Sequence, residues 1–213
     1  MKLPDYHPLI RRSYLEIHTG PMKSGKTATL KFRIDKVKRL TKINYALFKP
    51  DIDTRTKSIV SRYDEKGLDC HTISADNPQE LHNFLQNEQF IGIDEAQFFD
   101  ESLVGVVKTL LQQGKHIVLA GLDTDFRGDP FHPMPTLLAL ADEVHKLTAI
   151  CDYKNCNRLA RYTQRLINKK PARYNEPILS VENSDKKESY ETRCIDHHIV
   201  PGKPAVDNPS NNT

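Results

Sequence analysis

Apolar positions change period along this chain, and the changes mark its elements. Between Ser13 and Thr19 polar and apolar residues alternate, with Leu15 and Ile17 on one side, which predicts a strand. Leu30, Ile34 and Val37 then recur at i, i+4 and i+7, the buried stripe of a helix. Asn44 to Lys49 predicts a second strand ended by Pro50, Cys70 to Ser74 a short one, and Pro78 to Gln86 a helix. The run Gln89-Phe90-Ile91-Gly92-Ile93 lacks alternation, as a strand buried on both faces does. Leu103, Val107, Leu110 and Leu111 predict a helix stopped by Gly114. His116 to Leu122 follows as a buried strand, Thr136 to Ala141 as a helix and Val144 to Ile150 as a last strand. Strands alternating with helices over about 130 residues predict a parallel sheet covered on both faces.

Between the first strand and the first helix lies Gly20-Pro21-Met22-Lys23-Ser24-Gly25-Lys26-Thr27, a complete G-x-x-x-x-G-K-[ST] phosphate loop in its proper strand-loop-helix context. Gly20 and Gly25 let the backbone turn so that successive N–H groups point at phosphate oxygens. Lys26 supplies a cation for the β- and γ-phosphates, and the Thr27 hydroxyl is a ligand for Mg²⁺. The partner of such a loop is a buried strand that ends in acids, here Asp94-Glu95. Asp94 is expected to hold Mg²⁺, directly or through water, which leaves Glu95 to accept a proton from an attacking hydroxyl or water. The polar stretch Asp51 to Tyr63 reads either as a solvated surface loop or as a mobile segment over the site.

At Cys151 the character changes. Cys151-x4-Cys156 is followed 38 residues later by Cys194-x2-His197, with His198 adjacent. Arg161 to Ile167, Pro177 to Val181 and Ser189 to Arg193 between them look like short strands. Two close ligand pairs on two turns, separated by strands, are the layout of a structural zinc ribbon, against which stands a set of unligated thiols. Cys70 lies apart and reads as a small buried hydrophobe. The chain thus divides into an N-terminal arm over 1–13, a nucleotide-binding α/β unit over 14–150, a zinc lobe over 151–200 and a disordered tail over 201–213.

Charge and composition narrow the classes. A net charge of +3 over 213 residues suits a polyanionic small ligand and falls short of the clustered charge of a nucleic-acid binder. No apolar run approaches a membrane span, the N-terminus lacks a signal-peptide core, and the four cysteines fit a reducing cytoplasm. Three readings of the residues follow. They are a nucleoside kinase, an ATP-driven motor or switch whose zinc lobe binds nucleic acid, and an idle nucleotide sensor, the last opposed by intact Lys26, Asp94 and Glu95.

With phosphate loop, Asp-Glu strand and cysteine lobe in this order, the chain resembles the thymidine kinases of the cytosolic, zinc-containing type from about Tyr14 to His198. The markers are Gly-Pro-Met-x-Ser-Gly-Lys-Thr at 20–27, Asp-Glu-Ala-Gln-Phe-Phe at 94–99 and Gly-Leu-Asp-Thr-Asp-Phe-Arg at 121–127. Lys-Leu-Thr-Ala-Ile-Cys at 146–151, Thr-Gln-Arg-Leu at 163–166 and Tyr-Glu-Thr-Arg-Cys at 190–194 complete them. The resemblance implies transfer of the ATP γ-phosphoryl to the 5′-hydroxyl of thymidine with Mg²⁺, and Glu95 as general base. It implies ATP contacts from the whole loop Gly20 to Thr27, from Asp94 and Gln97, and from Asp53 and Arg55 in a lid. Met22, Phe98, Leu122, Phe126 and Thr163 would line the thymine pocket, with Tyr190 in the loop closing over the nucleoside. It also implies a homotetramer, inhibition by the end product dTTP, and His197 as the fourth zinc ligand. Three departures stand out: Lys23 in the phosphate loop, the x4 spacing of the first cysteine pair, and a 178–190 loop that is longer than usual and lacks a Val-Gly-Gly turn.

Overall fold

The computed structural model describes residues 10–40, 43–52, 58–61, 64–179 and 187–204. In chain order the elements are β1 (Tyr14–Thr19), α1 (Lys26–Lys38), β2 (Tyr45–Pro50), β3 (Ser58–Ser61), β4 (Asp64–Asp69) and β5 (His71–Ile73). Then follow β6 (Phe90–Ile93), α2 (Ser102–Gln112), β7 (His116–Gly121), α3 (Met134–Leu140), β8 (Glu143–Lys146) and β9 (Ala149–Ile150). The chain continues through β10 (Leu159–Ala160), β11 (Tyr162–Ile167), β12 (Lys170–Pro171) and β13 (Glu188–Arg193).

Six strands form one parallel sheet in the order β5-β2-β6-β7-β1-β8. Its central strands β6 and β7 are buried at every position, as their unbroken apolar runs require. Strand alternation sorts the side chains between two cores. Leu15, Ile17, Ile91, Ile93, Ile117 and Leu119 meet α2 and α3 on one face. Leu47, Phe90, Val118 and Ala120 meet Leu30, Ile34 and Val37 of α1 on the other. The predicted parallel sheet with helices on both faces is therefore the observed one. Gly92 sits under α1, where a Cβ would lie 2.6 Å from Leu47 Cδ2 and 3.4 Å from Leu30 Cδ1.

Four expectations change. The single strand over Val144 to Ile150 is two: β8 pairs with β1, and β9 pairs antiparallel with β10 in a separate ladder. The break falls at Leu147, whose N–H bonds to Thr19 O at 2.7 Å while its carbonyl oxygen lies 2.2 Å from where a Gly20 Cβ would stand. Pro78–Phe84 winds as 3₁₀ turns, because only Pro78 and Leu81 are buried and no apolar stripe runs along it. Within the polar 51–63 stretch, β3 pairs antiparallel with β4, and Ile59 and Leu68 enter the α1-side core. Two adjacent apolar residues in β3 and a single one in β4 are too few for a period to register. Residues 177–179 of the expected Pro177 to Val181 strand are not a strand, and Val181 lies outside the described residues.

The second lobe carries the antiparallel sheet β12-β11-β13 and the β9-β10 ladder. The tail expected to be disordered from 201 is tied down at its start: Lys203 Nζ reaches Asp129 Oδ1 at 2.8 Å, and Tyr174 N–H donates to Pro201 O at 2.9 Å. Cys70, read as buried, is half-buried against the α1-side core.

The close approach at Gly92 makes a small overpacking change informative. Gly92→Ala is expected to lower unfolding stability by about 1–3 kcal/mol, read from the urea midpoint at unchanged slope.

Candidate active site

The loop from Gly20 to Gly25 reaches its curvature through positive φ at Gly20 (136°), Lys23 (60°) and Gly25 (91°), the last capping α1. Lysine at a left-handed position is uncommon, and here its side chain has a partner. Lys23 Nζ lies 2.6 Å from Asp152 Oδ2, and that carboxylate also accepts from Thr192 N–H at 2.8 Å. One residue earlier, Met22 N–H donates to Thr163 Oγ1 at 3.0 Å. Two consecutive residues of the phosphate loop are thus fastened to the second lobe. Lys26 Nζ donates to Pro21 O at 2.7 Å and is buried beneath the loop it would serve.

The acids arrive at the C-terminal end of β6. Asp94 is buried and accepts from Thr27 Oγ1 at 3.2 Å and from Glu95 N–H at 3.0 Å. Burial, and then the neighbouring Glu95 charge, push the Asp94 carboxyl up to about 7, against the pull of those hydrogen bonds and of Lys26. Glu95 itself takes a left-handed φ of 51°, which turns its side chain away from the strand direction. Gln97 is buried; its Nε2 donates to Glu95 Oε2 at 2.7 Å and its Oε1 accepts from Leu122 N–H at 2.9 Å. Gln97, which the resemblance sets among the ATP-binding residues, is thus engaged between the Glu95 carboxylate and the end of β7.

Around this centre the predicted pocket residues separate by degree of burial. Phe126 and Thr163 are buried, while Met22, Phe98, Leu122 and Tyr190 are partly exposed. Phe98 packs edge-on against Phe131, with centroids 5.9 Å apart. The guanidinium of Arg165 lies 5.5 Å from the Phe126 ring centroid and bonds to Pro177 O and to the Glu188 carboxylate, whose other oxygen receives Tyr190 OH at 3.4 Å. Arg165 and Asp152 were not singled out as site residues. The available signal was a charge at alternate register in a strand, and an acid directly after a cysteine. Asp53 and Arg55 lie outside the described residues.

Cys151, Cys156, Cys194 and His197 come together with their ligand atoms within 4.8 Å of one another. Cys156 Sγ and Cys194 Sγ are 3.9 Å apart, and His197 Nδ1 is 3.7 Å from Cys151 Sγ and 3.3 Å from Cys194 Sγ. A tetrahedral zinc ion needs edges of roughly 3.8 Å between sulfurs and about 3.6 Å from sulfur to nitrogen, so this donor set fits it. Burial opposes ionisation of Cys151 and Cys194, but neighbouring hydrogen bonds outweigh it and hold both thiols below their ordinary value. His198 is otherwise occupied: its Nε2 bonds Phe126 O at 2.9 Å and its ring stacks on Tyr162. The choice between the two histidines falls to His197.

Phosphate loop, paired acids and cysteine cluster now stand in one molecule, and comparison with known proteins agrees. The thymidine kinase family model matches residues 13–198. The chain belongs to the thymidine kinase family. A thymidine kinase of Coprothermobacter proteolyticus is 46% identical over 190 residues, covering 89% of this chain and 92% of that one. The crystal structure of the pilus retraction motor PilT with bound ADP matches 71% of this chain and 47% of its own at 15% identity and TM-score 0.44, too slight a likeness to carry an argument. This member of the family is an enzyme, and among its described residues no helix is long and apolar enough to cross a membrane.

The fastening of the phosphate loop predicts a binding effect. Lys23→Ala and Asp152→Ala are each expected to weaken ATP binding about two- to fivefold by calorimetry, with the double variant no weaker than either single one.

Proposed function

We propose that this kinase moves the γ-phosphoryl group of ATP onto the 5′-hydroxyl of thymidine, or of deoxyuridine, in pyrimidine deoxynucleotide salvage. One arrangement carries the reading: the Glu95 carboxylate, fixed by buried Gln97, beside the Asp94–Thr27 pair at the foot of the phosphate loop. The loop amides from Gly20 to Thr27 and the start of α1 receive the triphosphate, and Lys26 exchanges the Pro21 carbonyl for phosphate oxygens. Mg²⁺ held by Thr27 and Asp94 neutralises phosphate charge when bound. Glu95 takes the proton of the 5′-hydroxyl as its oxygen bonds to the γ-phosphorus and the bond to the ADP oxygen breaks.

Met22, Phe98, Leu122 and Phe126 form an apolar slot for a flat base carrying a methyl group, with Thr163 and Tyr190 at its border. Asp53 and Arg55 close over the nucleotide and exclude water, which would otherwise compete with the sugar hydroxyl. Zinc in the Cys151, Cys156, Cys194 and His197 cluster holds together a lobe whose buried apolar residues beside the cysteines are, among the described ones, Ala149, Ala160, Leu166 and Ala172. Homotetramer assembly, inhibition by dTTP and a cytoplasmic location complete the proposal, supported by family membership.

ADP release should depend on thymidine or deoxyuridine among the common nucleosides. Glu95→Gln should cut that turnover by about 10²–10⁴-fold while ATP still binds. Unchanged turnover in Glu95→Gln removes the base assignment, and stimulation by DNA or RNA in place of nucleosides replaces the kinase reading altogether. Metal analysis after dialysis should find about one zinc per chain, and Cys194→Ser should lose it with the fold of the lobe.

A further inference from the structure

A second cluster of metal-ligating side chains lies outside the site described above, at the β1–β8 edge of the sheet. Parallel pairing sets Glu16 beside Glu143 and His18 beside His145, all on the α1 face. Glu16 Oε1 is 2.8 Å from His18 Nε2 and 3.8 Å from His145 Nε2, and one donor atom from each of the three lies within 4.8 Å of the others. The two imidazoles stack, with centroids 4.7 Å apart and planes 14° from parallel, so their Nε2 atoms address the same carboxylate oxygen. We infer that Glu16, His18 and His145 form a second divalent-metal site, of the two-histidine, one-carboxylate kind, that staples edge strand β8 to β1.

Several features favour an ion over a plain hydrogen-bonded cluster. Glu16 and His18 are 4% and 2% exposed, so two of three ligands are fixed by packing, while His145 stands at the rim. An ion with ligands at about 2.0–2.1 Å needs donor pairs roughly 3–3.5 Å apart, so the Glu16–His18 pair at 2.8 Å must open slightly while the Glu16–His145 pair at 3.8 Å closes by under ~1 Å, a move that the half-exposed His145 can make. The other oxygen of Glu16 is held by Arg33 at 2.7 Å, the outer hydrogen bond that orients a ligating carboxylate. Glu143 Oε1, 3.0 Å from His145 Nε2, adds a second negative charge at the rim, which offsets Arg33. His18 Nδ1 is buried with no hydrogen-bond partner among the described residues, so it can take the proton when Nε2 gives its lone pair to an ion. Imidazole and carboxylate without thiolate select a borderline ion such as Zn²⁺, Ni²⁺ or Co²⁺ and leave a coordination position open to solvent.

Binding to the folded form alone raises thermal stability by mass action. The test uses the full chain, loaded with zinc and dialysed until one zinc per chain remains at the cysteine cluster, then titrated with CoCl₂. The expected result is one added Co²⁺ per chain, with ligand-field absorption of nitrogen and oxygen ligation and no thiolate charge-transfer band, together with a rise in melting temperature. His145→Ala removes a half-exposed side chain and leaves the fold intact; it should weaken this binding by roughly tenfold or more and abolish the thermal shift while zinc in the cysteine cluster is retained. Glu16→Gln should do the same if it folds. No cobalt uptake by the zinc-loaded protein overturns the site, as does uptake that survives His145→Ala unchanged or that carries the thiolate band.

Discussion

The phosphate loop is pinned by groups more than a hundred residues away in the chain, and the rest of the site depends on that pinning. Met22 N–H is held by Thr163, Lys23 by Asp152, and the carbonyl of Leu147 fills the space a side chain at Gly20 would take. A loop whose N–H groups must converge on phosphate gains from being fixed before the ligand arrives, since less ordering is then left to binding. The same contacts make the second lobe a part of the nucleotide site. Thr163 lies on β11, and Asp152 sits between Cys151 and the turn to Cys156, so the cysteine cluster stands one residue from the anchor of Lys23.

A comparable economy governs the acids. Asp94 and Glu95 are neighbours in sequence, and two carboxylates side by side at a buried strand end would repel if both pointed the same way. Glu95 takes a left-handed φ, yet its charge still raises the Asp94 carboxyl, so the two remain electrostatically joined. Asp94 stays with Thr27 under the loop, and Glu95 is carried to Gln97. Gln97 in turn reads the backbone of Leu122, so a single buried amide sets the relation between the end of β6 and the end of β7. Gly121 leaves room for it, with Gln97 Oε1 only 2.8 Å from where a Cβ would be.

On the other face of β1 the chain buries Glu16 and His18 beneath α1, where hydrophobic residues would be the ordinary choice. Burial of Glu16 is outweighed by His116 3.7 Å away, by the hydrogen bond with His18 and by the charge of Arg33, which together hold its carboxyl well below the usual range. A strand with one apolar and one ionic face therefore runs directly into the phosphate loop, and the ionic face meets the edge of the sheet where the inferred metal site lies.

The sequence by itself determined the parallel sheet, the phosphate loop, the Asp-Glu strand end and the spaced cysteine and histidine pairs of the second lobe that could hold a metal. Each of these is written locally, in a period or a fixed spacing that backbone geometry converts directly into structure. The split of Val144 to Ile150 between two ladders was not legible, because the break falls where Leu147 meets Thr19 and Gly20 at the end of the neighbouring strand β1, far away in sequence. The hairpin of β3 and β4 was missed because Ile59 and Leu68, its buried residues among the described ones, form no period, and the pairing of Lys23 with Asp152 because a charge shows nothing of its partner until the chain folds. Spacing and resemblance favoured His197 over His198, and packing agrees, sending the first to the thiols and the second to Phe126. Local periods fix which elements form; long-range contacts decide which side chains meet, since those contacts exist only when the elements have packed.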